Sequence, residues 1–134
     1  MTAYLIDTDH LIGLVGSEER IVDRMRRPGK NGDTFSICAT VLSELYWFAK
    51  STAQMDTNTA CLTELVADLP VWEMGRGAAE IVGEILSEHR SLGTPISRAV
   101  AEVSAVARQR QLVVLSSDPD FRAVRDIRVE DWRG

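Results

Sequence analysis

Lysine is nearly missing from this chain. Lys30 and Lys50 are the only two among 15 basic residues, set against 20 acids in 134 positions, and the formal net charge is −5. The totals therefore lack the basic footprint that usually advertises nucleic-acid binding, although a local patch of arginines can act where the sum does not. Cysteine is as scarce: Cys38 and Cys61 show no C-x-x-C and no Cys/His spacing, which sets aside thiolate metal sites and a disulfide framework. Both read as small core residues in a reduced, cytoplasmic compartment. No apolar run approaches the ~20 residues that span a bilayer. Leu5 and Ile6 lead straight into acids where a secretory leader would carry a basic flank and a cleavage site. No repeat, low-complexity tract or linker divides the sequence, so one domain over 1–134 is expected, with 45% hydrophobic residues to build its core.

What is present alternates between short apolar runs and helical periods. Residues 3–6 read as a buried strand, Thr8 or Asp9 as the cap of a helix from His10 to Val15, and Gly16 as its end. Ser17-Glu18-Glu19-Arg20 opens a second helix with Ile21, Val22 and Met25 as its apolar stripe. Pro, Gly and Asn make 26–33 a loop, and "TFSICA" (34–39) a strand. Thr40 is expected to cap a helix carrying Val41, Leu45 and Phe48. Further helices are expected over 55–68, 76–91 and 96–111, strands over 69–74, 112–117 and 127–132, and a helical turn from Pro119. Such alternation predicts an α/β fold, helices layered around a mostly parallel sheet, with functional groups at the carboxyl ends of the strands.

Acids occupy those ends. Asp7 follows the first strand; Asp118 follows "LVVLSS", with Asp120 two residues later; Glu44 lies in the helix after the second strand, beside an apolar stripe. Taken singly, Asp7 reads as a helix cap, Asp118 as a turn residue before Pro119, and Glu44 as a surface acid. Jointly they suggest one site. Clustered carboxylates repel unless a cation is present, and an all-oxygen donor set suits Mg²⁺ or Mn²⁺ rather than zinc. Such a centre can activate water against a phosphodiester.

"YLIDTDHLIGLV", "ATVLSELYWFAKST", "RSLGTPIS" and "LVVLSSDPDF…IRVEDW" follow one another in an order that resembles PIN domains, in particular the VapC toxins of bacterial type II toxin–antitoxin pairs, over about residues 3 to 132. The resemblance implies a three-layer α/β/α fold and a Mg²⁺- or Mn²⁺-dependent endoribonuclease. It also implies a homodimer that is silenced by a cognate antitoxin and cuts RNA with water, leaving a 5′-phosphate and a 3′-hydroxyl. It matches Asp7, Glu44 and Asp118 to the metal-binding acids, and Ser116 to a hydroxyl residue near the last of them. Asp9 stands where asparagine is commoner. At the start of the helix after "GTPI" the family has another aspartate, and this chain has Val100. Glu102, about 200° around the helix from Val100, is the nearest substitute. Glu102, Asp9, Asp120 and Ser116 are accessory candidates.

Other readings compete. Val100 and the acidic charge fit a weakened or inactive PIN-fold module that binds RNA or an arginine-bearing antitoxin without cleaving. "DTD" invites a haloacid-dehalogenase phosphatase, but Leu11 falls where Thr or Val is wanted, and neither lysine follows a suitable strand. A phospho-receiver fails on the lysine as well. Arg24, Arg26, Arg27 and Lys30, and Arg108 with Arg110, are solvated faces or RNA contacts. Trp47, Trp72 and Trp132 are read as core or interface residues, and His10, near the acids, as a packing residue or, alternatively, a support behind them.

Overall fold

Five strands, all parallel, lie in the order β3-β2-β1-β4-β5. The structure, a computed structural model, describes residues 1–16, 19–26 and 32–133, with the backbone alone at 15, 20, 22, 25 and 26. Strand β1 (Ala3–Ile6) is central. Helices α1 (Thr8–Val15) and α2 (Glu19–Arg26) lead to β2 (Thr34–Cys38), and α3 (Ala39–Lys50) and α4 (Met55–Val66) lead to the two-residue β3 (Val71–Trp72). The chain returns through α5 (Arg76–Leu92) and α6 (Arg98–Arg110) to β4 (Val113–Leu115), then through a 3₁₀ turn (Pro119–Ala123) to β5 (Arg128–Glu130). Because crossovers between parallel strands are right-handed, the outward path to β3 and the return path to β4 put helices on opposite faces of the sheet. The result is a three-layer α/β/α fold. Strand order reverses between β1 and β4, which pair directly with Leu5 opposite Val114. That switch point is where open parallel sheets form crevices.

The strands are β-branched or apolar because both faces of the sheet are covered; Leu5, Ile6, Ile37, Val114 and Leu115 are all buried. On α6, Ala101, Ala105 and Ala107 are buried, and these small side chains let it pack closely against α5. Gly93 ends α5 in the left-handed region, with φ of 71°, where a side chain would be strained. Among the described residues no helix is long and apolar enough to cross a membrane.

Several expectations shift. The helix after β2 begins at Ala39 with Cys38 at its cap position, and the Thr40 hydroxyl instead donates to Glu102 Oε2 on α6 at 2.8 Å. The buried stripe of α3 is Val41, Leu45 and Ala49; a strict four-residue step leaves Phe48 46% exposed and Trp47 74% exposed. Trp72 is half-buried, and its indole N–H donates to Ser36 Oγ. Trp132 is in the core, edge-on to Tyr4 and Phe35. Cys38 is buried but Cys61 is exposed, since it lies on the outer side of α4. Strands β3, β4 and β5 are shorter than expected because flanking residues leave the ladder for turns. The α6 helix starts at Arg98, its first turn capped by Ser97, which accepts the Val100 N–H. Ser17, Glu18, the side chains of Val22 and Met25, and most of the 26–33 loop lie outside the described residues.

These burials make a direct prediction. Leu45→Ala is expected to cost about 2–5 kcal/mol of unfolding free energy, and Trp47→Ala no more than about 0.5 kcal/mol, as measured by urea denaturation.

Candidate active site

Parallel pairing brings the ends of β1, β2 and β4 to one edge of the sheet, and three acids follow from it. Asp7 continues the β1–β4 ladder by one bond, its N–H donating to the Leu115 carbonyl at 3.0 Å. It occupies the cap position of α1 but makes no side-chain capping bond there. Its Oδ2 instead accepts the Ser116 hydroxyl from the end of β4 at 2.7 Å, so Asp7 is more than a helix cap. Glu44 lies in the second turn of α3, half-buried, where the Thr8 hydroxyl donates to its Oε1 at 3.2 Å. Asp118 caps the 3₁₀ turn, its Oδ1 accepting the Asp120 N–H at 2.9 Å. That much the turn reading anticipates.

The three nonetheless share a cleft of about 300 Å³, with Thr8 and Asp9 beside them and Val100, Ile12 and Phe121 among its other lining residues. Acids and apolar side chains line it together. Val100 contributes from the first turn of α6. Glu102 is not in the cleft: its carboxylate is engaged by Thr40 between α3 and α6. Asp120 is exposed and contributes only its N–H to Asp118. Asp9 lines the cleft, yet its Oδ2 accepts the Ser117 N–H at 2.8 Å and its Oδ1 lies 2.7 Å from His10 Nδ1. Ile12, Phe121 and Thr8 were not foreseen in the site. The only signal for Thr8 was its place between two acids.

Burial pushes the Asp7 carboxyl up to about 6, against the pull of the Ser116 hydroxyl and the Thr8 N–H, and the charges of Asp9 and Glu44 add to the rise. For Asp9, burial works in the same direction, but the His10 hydrogen bond and the Ser117 N–H outweigh it and hold the carboxyl below its ordinary value. Two neighbouring acids thus differ sharply, as groups at functional sites often do.

The donors facing the cleft are carboxylates and hydroxyls, with no thiol or imidazole, and this chemistry fits a hard divalent cation. Among the described residues, however, no three acids, thiols or imidazoles are gathered closely enough to form a coordination set. Asp7, Glu44 and Asp118 are each held back by a separate hydrogen bond. They share a cleft, and are not clenched around a point.

The expected basic contacts are largely engaged elsewhere. Arg24 lies over the Trp132 ring and Arg110 over Trp72, each at 4.5 Å, and Arg108 donates to the Arg125 carbonyl. Lys30, Arg27 and the Arg26 side chain lie outside the described residues.

Comparison with known proteins decides the family: the PIN domain matches residues 4–127. This chain belongs to the PIN domain family. It is similar over 98% of its length to the tRNA(fMet)-specific endonuclease VapC of Shigella flexneri, at 25% identity over 99% of that protein. The protein of the same name from Salmonella typhimurium is 27% identical, with the same shares covered. Among solved structures, VapBC2 from Rickettsia felis bound to a promoter DNA fragment superposes with a TM-score of 0.89 at 16% identity, covering 98% of this chain and 99% of that one. DNA-bound VapBC from Salmonella typhimurium gives 0.87 at 26% identity, with the same shares covered. The PIN fold is thereby shared along the whole cleft-forming chain.

The raised Asp7 carboxyl has a thermodynamic consequence. Between the ordinary 3.8 and about 6, the unfolded state ionises before the native one, so native stability falls as pH rises through that window and the loss is complete above it. Metal-free Asp7→Asn is therefore expected to exceed wild type in stability by about 1–3 kcal/mol at pH 7.5. The gap should close toward pH 4; urea melts in chelator at the two pH values measure it.

Proposed function

We propose that this PIN domain protein is a VapC-type toxin, a divalent-metal-dependent endoribonuclease that hydrolyses RNA phosphodiesters and is neutralised by a cognate antitoxin. The observation that carries the reading is that Asp7, Glu44 and Asp118, from three distant segments, line one cleft at the switch point of the sheet. The whole chain is read as one domain, acting as a homodimer in the cytoplasm. Structured RNA is the substrate class, and the name of the bacterial relatives makes initiator tRNA the first substrate to test.

In this reading Asp7, Glu44 and Asp118 hold Mg²⁺ or Mn²⁺. When bound, the ion activates water and neutralises charge developing on the phosphodiester. The chain's own part is placement. Ser116 orients the Asp7 carboxylate, Thr8 orients Glu44, and the Asp120 N–H orients Asp118. Val100, Ile12 and Phe121 add apolar lining to the cleft, and low-dielectric surroundings strengthen electrostatic effects inside it. Asp7 must ionise to bind the cation, so cation affinity falls as pH drops through about 6.

Val100 supports a second reading, a PIN-fold module that binds RNA or a basic antitoxin segment in the carboxylate-lined cleft and cleaves little. An apolar residue on the cleft wall adds no negative charge to retain a cation. The two readings separate on one assay. Cleavage of initiator tRNA in Mn²⁺ is expected to leave 5′-phosphate and 3′-hydroxyl ends, to stop in chelator, and to be abolished in Asp7→Asn; 2′,3′-cyclic phosphate ends would contradict it, because they require attack by the ribose. Val100→Asp adds a carboxylate to Asp7, Asp9, Glu44 and Asp118 in the cleft and is expected to tighten Mn²⁺ binding and speed cleavage. Tight binding of a basic antitoxin with no cleavage in any metal would select the module.

A further inference from the structure

His10 is a buried titratable side chain for which the proposed chemistry has no use. It sits on the first turn of α1 and is 1% exposed, and both of its ring nitrogens are engaged. The Trp132 N–H donates to Nε2 at 2.9 Å, so that nitrogen presents a lone pair and Nδ1 carries the proton. Nδ1–H then donates to Asp9 Oδ1 at 2.7 Å. The Asp131 carboxylate lies 3.6 Å from Nε2, too far to displace the shorter bond.

These contacts belong to a closed ring. Asp131 Oδ1 accepts the Ser117 hydroxyl at 2.9 Å, and the Ser117 N–H donates to Asp9 Oδ2 at 2.8 Å. Asp9, His10, the 131–132 peptide and Ser117 therefore hold one another. Ser117 is also the middle of the turn that leads from β4 to Asp118. On one side of it, Ser116 Oγ donates to Asp7 and accepts the Asp118 N–H at 3.0 Å. A single hydroxyl thus sits between two of the acids proposed to hold the cation.

We propose that His10 is a positioning residue for the cleft: through Asp9 it clamps the Ser116–Asp118 turn against the end of β1, and Asp9 serves as a brace, not as a metal ligand. This rests on the nuclease reading of the cleft. Both Asp9 oxygens are already engaged, one by His10 and the other by Ser117. If Asp9 swings, the Ser117 N–H loses its acceptor, the turn relaxes, and the Ser116 hydroxyl no longer holds Asp7 and Asp118 at a set separation. Partners that orient ligands in this way typically change metal affinity or rate by about 10- to 100-fold. Through Trp132, the ring also makes residues beyond β5 part of the site's support.

Two conservative variants dissect the histidine. The amide nitrogen of His10→Asn stands near the place of Nδ1 and keeps the bond to Asp9, whereas His10→Gln reaches the place of Nε2 and keeps only the bond to Trp132. His10→Asn is expected to retain slow exchange of the Ser117 amide and wild-type Mn²⁺ affinity by calorimetry. His10→Gln is expected to expose that amide, to weaken Mn²⁺ by about 10- to 100-fold, and to lower kcat on RNA with KM little changed. Equal Ser117 exchange in the two variants overturns the clamp, as does wild-type Mn²⁺ affinity in His10→Gln. Ser117→Ala, at an exposed position that folding tolerates, opens the ring at its Asp131 side; faster exchange of residue 117 with weaker Mn²⁺ binding is expected, and no change in either overturns the proposal. Should wild type bind no Mn²⁺, the nuclease reading fails, and Ser117 exchange alone decides the clamp.

Discussion

The Asp7 carboxylate stands where the central strand runs out, largely removed from water and within the field of two other acids, and the Ser116 hydroxyl is what meets it there. A buried carboxylate that loses its hydrogen bonds pays the full cost of desolvation, about 1–3 kcal/mol or more for a charged group. The bond from Ser116 spans 109 positions of sequence and is available only because β1 and β4 pair side by side. Sheet register, the turn after β4 and the state of Asp7 therefore depend on one another. A slip of one residue between the strands would carry Ser116 to the other face of the sheet and leave Asp7 without its donor.

From that contact outward, the site is a balance between charge and constraint. Asp7, Glu44 and Asp118 share the cleft while a separate donor meets each: Ser116 for Asp7, Thr8 for Glu44 and the Asp120 N–H for Asp118. Burial first, and the neighbouring acids after it, push Asp7 up to about 6, while Asp9 is held below its ordinary value. Burial acts on both in the same direction, so what turns Asp9 the other way is its partners. Asp9 has an imidazole and a backbone N–H; Asp7 has a hydroxyl, an N–H and two acidic neighbours.

Much of this was legible in the residues. The strand before Asp7, the helix that carries Glu44 and the strand before Ser116 could be placed from apolar runs and turn residues, because in a parallel sheet buried strands are short and continuous in hydrophobicity. The cluster of Asp7, Glu44 and Asp118 followed from the rule that parallel strands share a functional edge. Glu102, the accessory candidate nearest the acid lacking at Val100, is engaged by Thr40 from α3: helical periodicity shows that Glu102 and Val100 face different ways, but not that Thr40 would be waiting. Thr40 was misread for the same reason, since a threonine at a helix start looks like a cap until a partner from another helix claims its hydroxyl. His10 was read as packing or as a support behind the acids; it is buried, and its hydrogen bonds to Asp9 and Trp132 join segments 122 residues apart.

What the sequence by itself determined is local and periodic: an alternation of strand and helix, hence a parallel sheet, hence acids gathered at one edge. Those features depend on neighbours within a few positions, where steric preference and burial pattern act directly. Only tertiary structure decided which donor meets each acid, that Val100 and Phe121 line the same cleft, and that the residues after β5 reach back to His10. Each of these is a contact between side chains far apart in the chain, fixed by strand register and helix packing to within an ångström. Hydrogen bonds fail over such distances, and no pattern in the sequence resolves them.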